Sequence, residues 1–435
     1  MEPFARRRSA VLEALGDDVM VVAGARERLR NADTEYAFRQ DSDFFYLTGF
    51  DEPDAVLVLA PRAPKPVTLF LRERDRVRET WDGRRLGVER AAETLGVDEA
   101  QPIAAFADAL PALLASGDRL HARLGSDAEF DRIVHAAAAA ASRGARREVP
   151  SAYAAPSRIL HELRLIKDAG ELATMRRAAA ITREGHLAGM RVTRPGGYEY
   201  ELQAAIESAY RRLGAQSTAY QSIVASGDNA TILHYRPNRD RLEPGALVLV
   251  DSGCELDGYA SDVTRTWPVS GRFSPEQRAV YEIVLRAQEA AIEDIRPGAH
   301  VRTSHATALR ILTEGLLSIG VLHGSLDEAL ETKAYEPYYM HGTSHFLGMD
   351  VHDAGDYKDA AGAWRPVLPG MVLTVEPGLY FARDAACDAR WHGIGVRIED
   401  DVACGPEGPD NLTADIPRSI EALEGLVGID ALVAS

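Results

Sequence analysis

Two short stretches of this chain repeat one pattern 125 residues apart: Pro244-Gly-Ala-Leu-Val-Leu-Val-Asp251-Ser-Gly253 and Pro369-Gly-Met-Val-Leu-Thr-Val-Glu376-Pro-Gly378. Each reads as a Pro-Gly turn, an apolar strand, an acid at the strand's end and a glycine two places on. A second acid follows each stretch, Asp262 after the first and Glu399 after the second. A fold built on this repeat brings four carboxylates together beside apolar strands, which is very unfavourable unless a cation sits among them. The repeat therefore constrains architecture and chemistry at once, towards a duplicated strand unit around a metal site.

Local patterning supports the convergence. Asp257-Gly258, between Asp251 and Asp262, is a strong hairpin turn signal. A two-residue hairpin centred on Leu256-Asp257 or on Asp257-Gly258 puts Asp251 and Asp262 on the same strand face. In the second copy Ile394, Val396 and Ile398 alternate with Gly395, Arg397 and Glu399, so Arg397 and Glu399 face the same way. Between the copies lie three histidines in twelve residues, His341, His345 and His352, from which a further ligand is expected. Four carboxylates and an imidazole form an oxygen-rich set that suits Mn²⁺, Co²⁺, Fe²⁺ or a catalytic Zn²⁺. Four carboxylates neutralise two dications, which points to a dinuclear site.

Composition narrows the setting. A formal charge of −17 argues against nucleic acid as partner, because phosphate binding needs a basic surface. No window approaches the ~18 apolar residues of a membrane span, and no signal-peptide pattern follows Met1, so a cytoplasmic protein is expected. Cys254, Cys387 and Cys404 are too few and too scattered for a disulfide framework, and read as reduced structural thiols.

At 435 residues two cores are expected. Residues 1–155 read as a mixed α/β domain, with buried strands at Ala55–Ala60 and Val67–Leu71 and a helix over Ala136–Ala141 that stops near Gly144. The proline-bearing stretch Glu148–Pro156 is the expected linker, so residues 156–435 form the second domain. There, helices are expected over His161–Arg191, Tyr198–Leu213 and His300–Ile319. Another opens at Ser274-Pro-Glu-Gln, a serine cap followed by proline, and runs to about Ile295. The second domain reads as two helices followed by strands, twice over. Phe44, Phe45 and Tyr46 sit in a strand-like run and are read as core of the first domain rather than as a proline pocket.

With these residues assembled, the chain resembles the pita-bread metallopeptidases, and within them the aminopeptidase P family, over nearly its whole length. The resemblance rests on Leu233-His-Tyr-Arg-Pro-Asn238, Asp251 to Glu255, Gly258 to Thr266, His341-Gly-Thr-Ser-His345, Val351-His352-Asp353, Thr374 to Tyr380 and Gly395 to Asp401. In the first domain it rests on Thr34 to Pro53 and Trp81 to Gly87. It implies an α/β fold, a mixed α/β N-terminal domain before a pita-bread domain made from a duplicated strand-helix unit. It also implies a dinuclear metalloaminopeptidase that removes the first residue from peptides with proline second, by attack of a metal-bridging hydroxide. Asp251, Asp262, His345, Glu376 and Glu399 would be metal ligands. Glu376 would also relay a proton, His234, His341 and His352 would contact substrate and the tetrahedral intermediate, and Tyr380 and Arg397 would order the carboxylates. Two divalent ions are implied, Mn²⁺ foremost with Zn²⁺ or Co²⁺ as alternatives, and a homo-oligomer, dimer or tetramer. Trp81 reads either as a packed surface aromatic or, as the resemblance implies, as a residue reaching towards a neighbour's active site. A prolidase, restricted to dipeptides, and a non-catalytic binding protein on the same fold are the competing readings. Arg365 is a candidate contact for a peptide end, against the plainer reading of a solvated side chain.

Overall fold

A computed structural model describes residues 2–428, and the chain divides into two compact units, Met1–Arg164 and Leu165–Ser435. The first unit is built on a six-stranded mixed sheet. In spatial order its strands are Glu99–Pro102, Val67–Leu71, Val56–Leu59, Val19–Ala23, Arg119–Ala122 and Ala152–Ala154. Val56–Leu59 and Val67–Leu71 are apolar at nearly every position and buried throughout, because both faces of the sheet are covered. The polyalanine segment is a helix, Ala128–Ala145, that packs against this core.

Two expectations for this unit need correction. Phe44, Phe45 and Tyr46 lie on a short helix, Ser42–Thr48, rather than on a strand. Asp41 caps it by accepting the Phe44 N–H at 3.0 Å, and Gly49 ends it in a left-handed conformation. Local capping outweighs the β preference of the aromatic run. Phe44 and Tyr46 are nevertheless core, as expected. The division into units also falls beyond residue 155: the helix Ser157–Leu165 carries Arg164, which is buried and donates to Asp43 Oδ1 at 2.6 Å within the first unit.

The second unit surrounds its strands with long helices, Ala169–Val192, Glu199–Arg212, Pro275–Ile292 and Thr303–Ser318. The helix expected over His161–Arg191 is interrupted before Ala169. There Asp168 accepts from the N–H groups of Gly170 and Glu171, while the Glu171 carboxylate accepts from the Asp168 N–H. This reciprocal cap makes a new start cheaper than continuing the preceding helix. Ser274 opens its helix as expected, with Gln277 completing the cap, and the helix ends at Ile292, three residues early. Among the described residues, no helix is long and apolar enough to cross a membrane.

The repeated motifs form two interrupted hairpins. In the first, Leu247–Asp251 pairs with Thr264–Pro268, Asp251 facing Thr264, and an inner ladder joins Cys254–Leu256 to Tyr259–Ala260 across the Asp257-Gly258 turn. In the second, Val372–Val375 pairs with Asp400–Ala403, and an inner ladder joins Gly378–Phe381 to Ile394–Arg397. Both ladders break at the acids. The repeated glycine follows from that break: a Cβ on Gly253 would stand 1.7 Å from the Ser261 carbonyl oxygen, and one on Gly378 would stand 2.8 Å from the Val396 carbonyl oxygen. The strands approach too closely there for any side chain.

Candidate metal centre

The breaks in the two hairpins face each other. The Glu399 N–H donates to the Thr264 carbonyl at 3.0 Å, and the Asp262 N–H donates to Asp401 Oδ1 at 3.1 Å, so each second acid is fixed by the other hairpin or its neighbour. Ligand atoms of Asp262, His345 and Glu399 lie within 4.8 Å of one another. His345 Nε2 stands 3.4 Å from Asp262 and 3.7 Å from Glu376. Asp251 joins through the Tyr220 hydroxyl, which is 2.5 Å from an oxygen of Asp251 and 2.5 Å from one of Asp262. The five residues expected to surround a cation are therefore brought together.

Their environment is hostile to charge. Burial and then repulsion from Asp262, Glu376 and Asp251 push Glu399 well above the ordinary carboxylate range, while burial is opposed by His345 and Arg397 in raising Glu376 to about 7. Asp251 is raised by burial, offset by Arg397. Burial alone would lower His345, but its bond to Asp262 and the charges of Glu376 and Asp262 carry it up to about 9. A hard, oxygen-rich donor set held in this way fits divalent cations, which would supply the missing positive charge.

His345 is oriented for ligation. Its Nδ1–H donates to the Phe346 carbonyl at 3.0 Å, which directs Nε2 at the carboxylates. Its main chain is held between Thr374 Oγ1, accepting at 3.1 Å, and the Thr374 N–H, donating at 2.9 Å. The Glu376 N–H donates to the Thr343 carbonyl at 2.8 Å, tying the second acidic strand to the histidine segment.

A polar chain runs from the carboxylates to His341. Arg397 donates to Asp251 Oδ2 at 2.5 Å and to the Tyr380 hydroxyl at 3.2 Å. The Tyr380 hydroxyl lies 2.8 Å from His341 Nε2, and His341 Nδ1 lies 2.7 Å from the Gly342 carbonyl. A carbonyl only accepts, so His341 carries its proton on Nδ1 and takes the Tyr380 hydroxyl proton at Nε2. Burial, then the Arg397 charge, lowers His341 to about 3, so it is neutral. The His352 ring meets the His345 ring edge to face at 4.4 Å, and His234 is exposed.

Sequence reasoning missed Tyr220, Thr264 and Asp401 as parts of this site. Tyr220 stands outside every motif and only strand folding brings it in. Thr264, whose hydroxyl donates to Glu399 at 2.7 Å, was recoverable from the hairpin register that sets it opposite Asp251. Trp81 lies on the surface helix Arg76–Asp82 and is 82% exposed. The Arg365 guanidinium donates to the Asp356 carbonyl at 2.7 Å, and its side chain is partly exposed. The three cysteines are free, Cys254 and Cys404 buried.

This hairpin pair and its donor set define a metallopeptidase: the chain belongs to metallopeptidase family M24, whose model matches residues 173–406, and an aminopeptidase P N-terminal domain matches residues 4–121. Membership carries a requirement for divalent metal ions. Among particular proteins, the chain is 42% identical to the Xaa-Pro aminopeptidase of Escherichia coli K12, over 98% of this chain and 97% of that one. It is 35% identical to human Xaa-Pro aminopeptidase 3, covering 94% and 80%. The solved structure of Pseudomonas aeruginosa aminopeptidase PepP superimposes with a TM-score of 0.96 at 44% identity, covering 100% of this chain and 99% of that one.

Proposed function

We propose that the protein is a metal-dependent exopeptidase that releases the N-terminal residue from peptides with proline in second place. The observation that carries this reading is likeness to Xaa-Pro aminopeptidases over both units, combined with the convergence of all five donors. Asp251, Asp262, His345, Glu376 and Glu399 would hold two divalent ions, of which Mn²⁺ suits the oxygen-rich set best. Bound ions supply Lewis-acid polarisation of the scissile carbonyl and an activated water.

The remaining steps belong to the chain's own side chains. An Xaa-Pro bond has no N–H, so recognition relies on shape and on the carbonyl. His352 faces the scissile carbonyl oxygen and donates to it as negative charge develops. Glu376 takes a proton from the attacking water and passes it to the proline nitrogen, which must be protonated to leave. His341 stays neutral and, with Tyr380 and Arg397, keeps Asp251 fixed. His234, exposed, contacts the incoming peptide. The exposed Trp81 supports a homo-oligomer in which a neighbouring copy covers it, and the cytoplasm is the proposed place of action.

The test is hydrolysis by the Mn²⁺-loaded protein of an Xaa-Pro-Yaa tripeptide, an Xaa-Pro dipeptide and an Xaa-Ala-Yaa control. Release of the first residue from the proline tripeptide is expected. Cleavage of the dipeptide alone would make the protein a prolidase, and cleavage of none would leave a binding protein.

A further inference from the structure

One buried charge pair in the second unit is not used by the reading above. Lys167 Nζ donates to Asp353 Oδ2 at 2.8 Å, and both side chains are 1% exposed. Lys167 lies in the break between the helices Ser157–Leu165 and Ala169–Val192, and Asp353 directly follows His352. Burying two charges is costly, and a hydrophobic pair of like volume is often at least as stable, so stability alone explains this pair poorly.

The surroundings give it a geometric role. The segment from Phe346 to Asp353 closes on itself, the Asp353 N–H donating to the Phe346 carbonyl at 2.9 Å and the Asp350 N–H to Asp353 Oδ1 at 3.3 Å. It wraps so tightly that a Cβ on Gly348 would stand 2.1 Å from Asp353 Oδ2 and 2.8 Å from Lys167 Cε. The loop joins His345 at one end to His352 at the other, and their rings meet at 4.4 Å. Lys167 is itself held, its N–H donating at 2.8 Å to the carbonyl of Gly370, in the turn that opens the strand leading to Glu376. One lysine thus ties the second acidic hairpin to the loop that carries His352.

We propose that Lys167 and Asp353 are positioning residues: a buried strut that sets the His352 ring against the metal centre while leaving the ligand set itself intact. His345 has separate anchors, the Phe346 carbonyl and Thr374. His352 is placed instead by the loop tied to Asp353 and by its ring contact with His345. The inference rests on the proposed role of His352 at the scissile carbonyl. Displacement of such a group by about 1 Å costs on the order of 100-fold in rate.

The experiment compares full-length wild type, Lys167→Met, the double variant Lys167→Met/Asp353→Asn, which leaves no lone buried charge, and each of these combined with His352→Ala. Mn²⁺ binding to the stripped proteins is measured by calorimetry, and kcat and KM on an Xaa-Pro-Yaa tripeptide are measured with saturating Mn²⁺. The strut predicts that kcat falls roughly 10- to 100-fold with Mn²⁺ affinity nearly unchanged, and that the loss largely disappears when His352 is already alanine. Wild-type kcat in folded strut variants, a full-sized loss in the His352→Ala background, or a fall in Mn²⁺ affinity matching the fall in kcat would overturn it. Wild-type protein inactive on every peptide would defeat the functional reading instead, a result distinct from any of these.

Discussion

Arg397 of the second hairpin donates to Asp251 of the first at 2.5 Å, with both side chains largely buried. The contact joins the two copies of the repeat through their functional residues. It supplies positive charge inside a cluster of carboxylates, and Arg397 can do this while also donating to Tyr380 and Thr264, a fork that lysine cannot reproduce.

Replacement of Arg397 by methionine is therefore expected to leave Asp251 buried without its partner. Denaturant unfolding of the metal-stripped variant should show a loss of about 3–5 kcal/mol. Added Mn²⁺ should recover part of it, because the ion restores the missing charge.

Ion binding should stabilise the native fold directly. At a free Mn²⁺ concentration near 100 times Kd the gain is about 2.7 kcal/mol, measurable as a rise in Tm of the stripped protein. Glu399→Gln should reduce that rise, since it removes one anionic donor from the cluster.

Gly253→Ala tests the interrupted hairpin. The added methyl would meet a backbone carbonyl at 1.7 Å, and relief requires parting the strands that carry Asp251 and Asp262. A destabilisation of roughly 1–3 kcal/mol or more is expected, together with weakened Mn²⁺ binding by calorimetry.

Much of this arrangement was legible in the chain, and the reason is the repeat. Strand period two placed Asp251 with Asp262 and Arg397 with Glu399, and a Pro-Gly turn marked each acidic strand. What was hidden depended on contacts between distant segments. Tyr220 carries no signal until folding lays it across two carboxylates, and the helix around Phe44 was concealed because Asp41 and Gly49, not the aromatics, decide its form. The break at Asp168 was readable in principle, since Asp168 and Glu171 have the spacing of a reciprocal cap, but the helical pattern on either side masks it.

His186 predicts a pH dependence of stability. It is fully buried, its ring donating from Nε2 to the Ser252 carbonyl at 2.9 Å, and burial lowers it to about 4. Between about pH 6.5 and 4 the unfolded chain binds a proton that the folded one does not, so stability falls as pH falls through that window. The size is about 3 kcal/mol. His186→Gln, which keeps a donor, should flatten the slope of unfolding free energy between pH 6.5 and 4, and an unchanged slope would remove His186 from the account.

The central claim is that Asp251 and Asp262 of one interrupted hairpin, Glu376 and Glu399 of the other and His345 from the segment between them together hold the ions that peptide hydrolysis needs. Its most direct measurement is a Mn²⁺ titration of the stripped protein, with calorimetric stoichiometry and release of the first residue from an Xaa-Pro-Yaa peptide followed together. The account predicts two ions per chain and turnover that appears only as they bind, with one ion held more weakly and turnover lost in Glu376→Ala. Full turnover by ion-free protein, or near-normal turnover by Glu376→Ala, would contradict it.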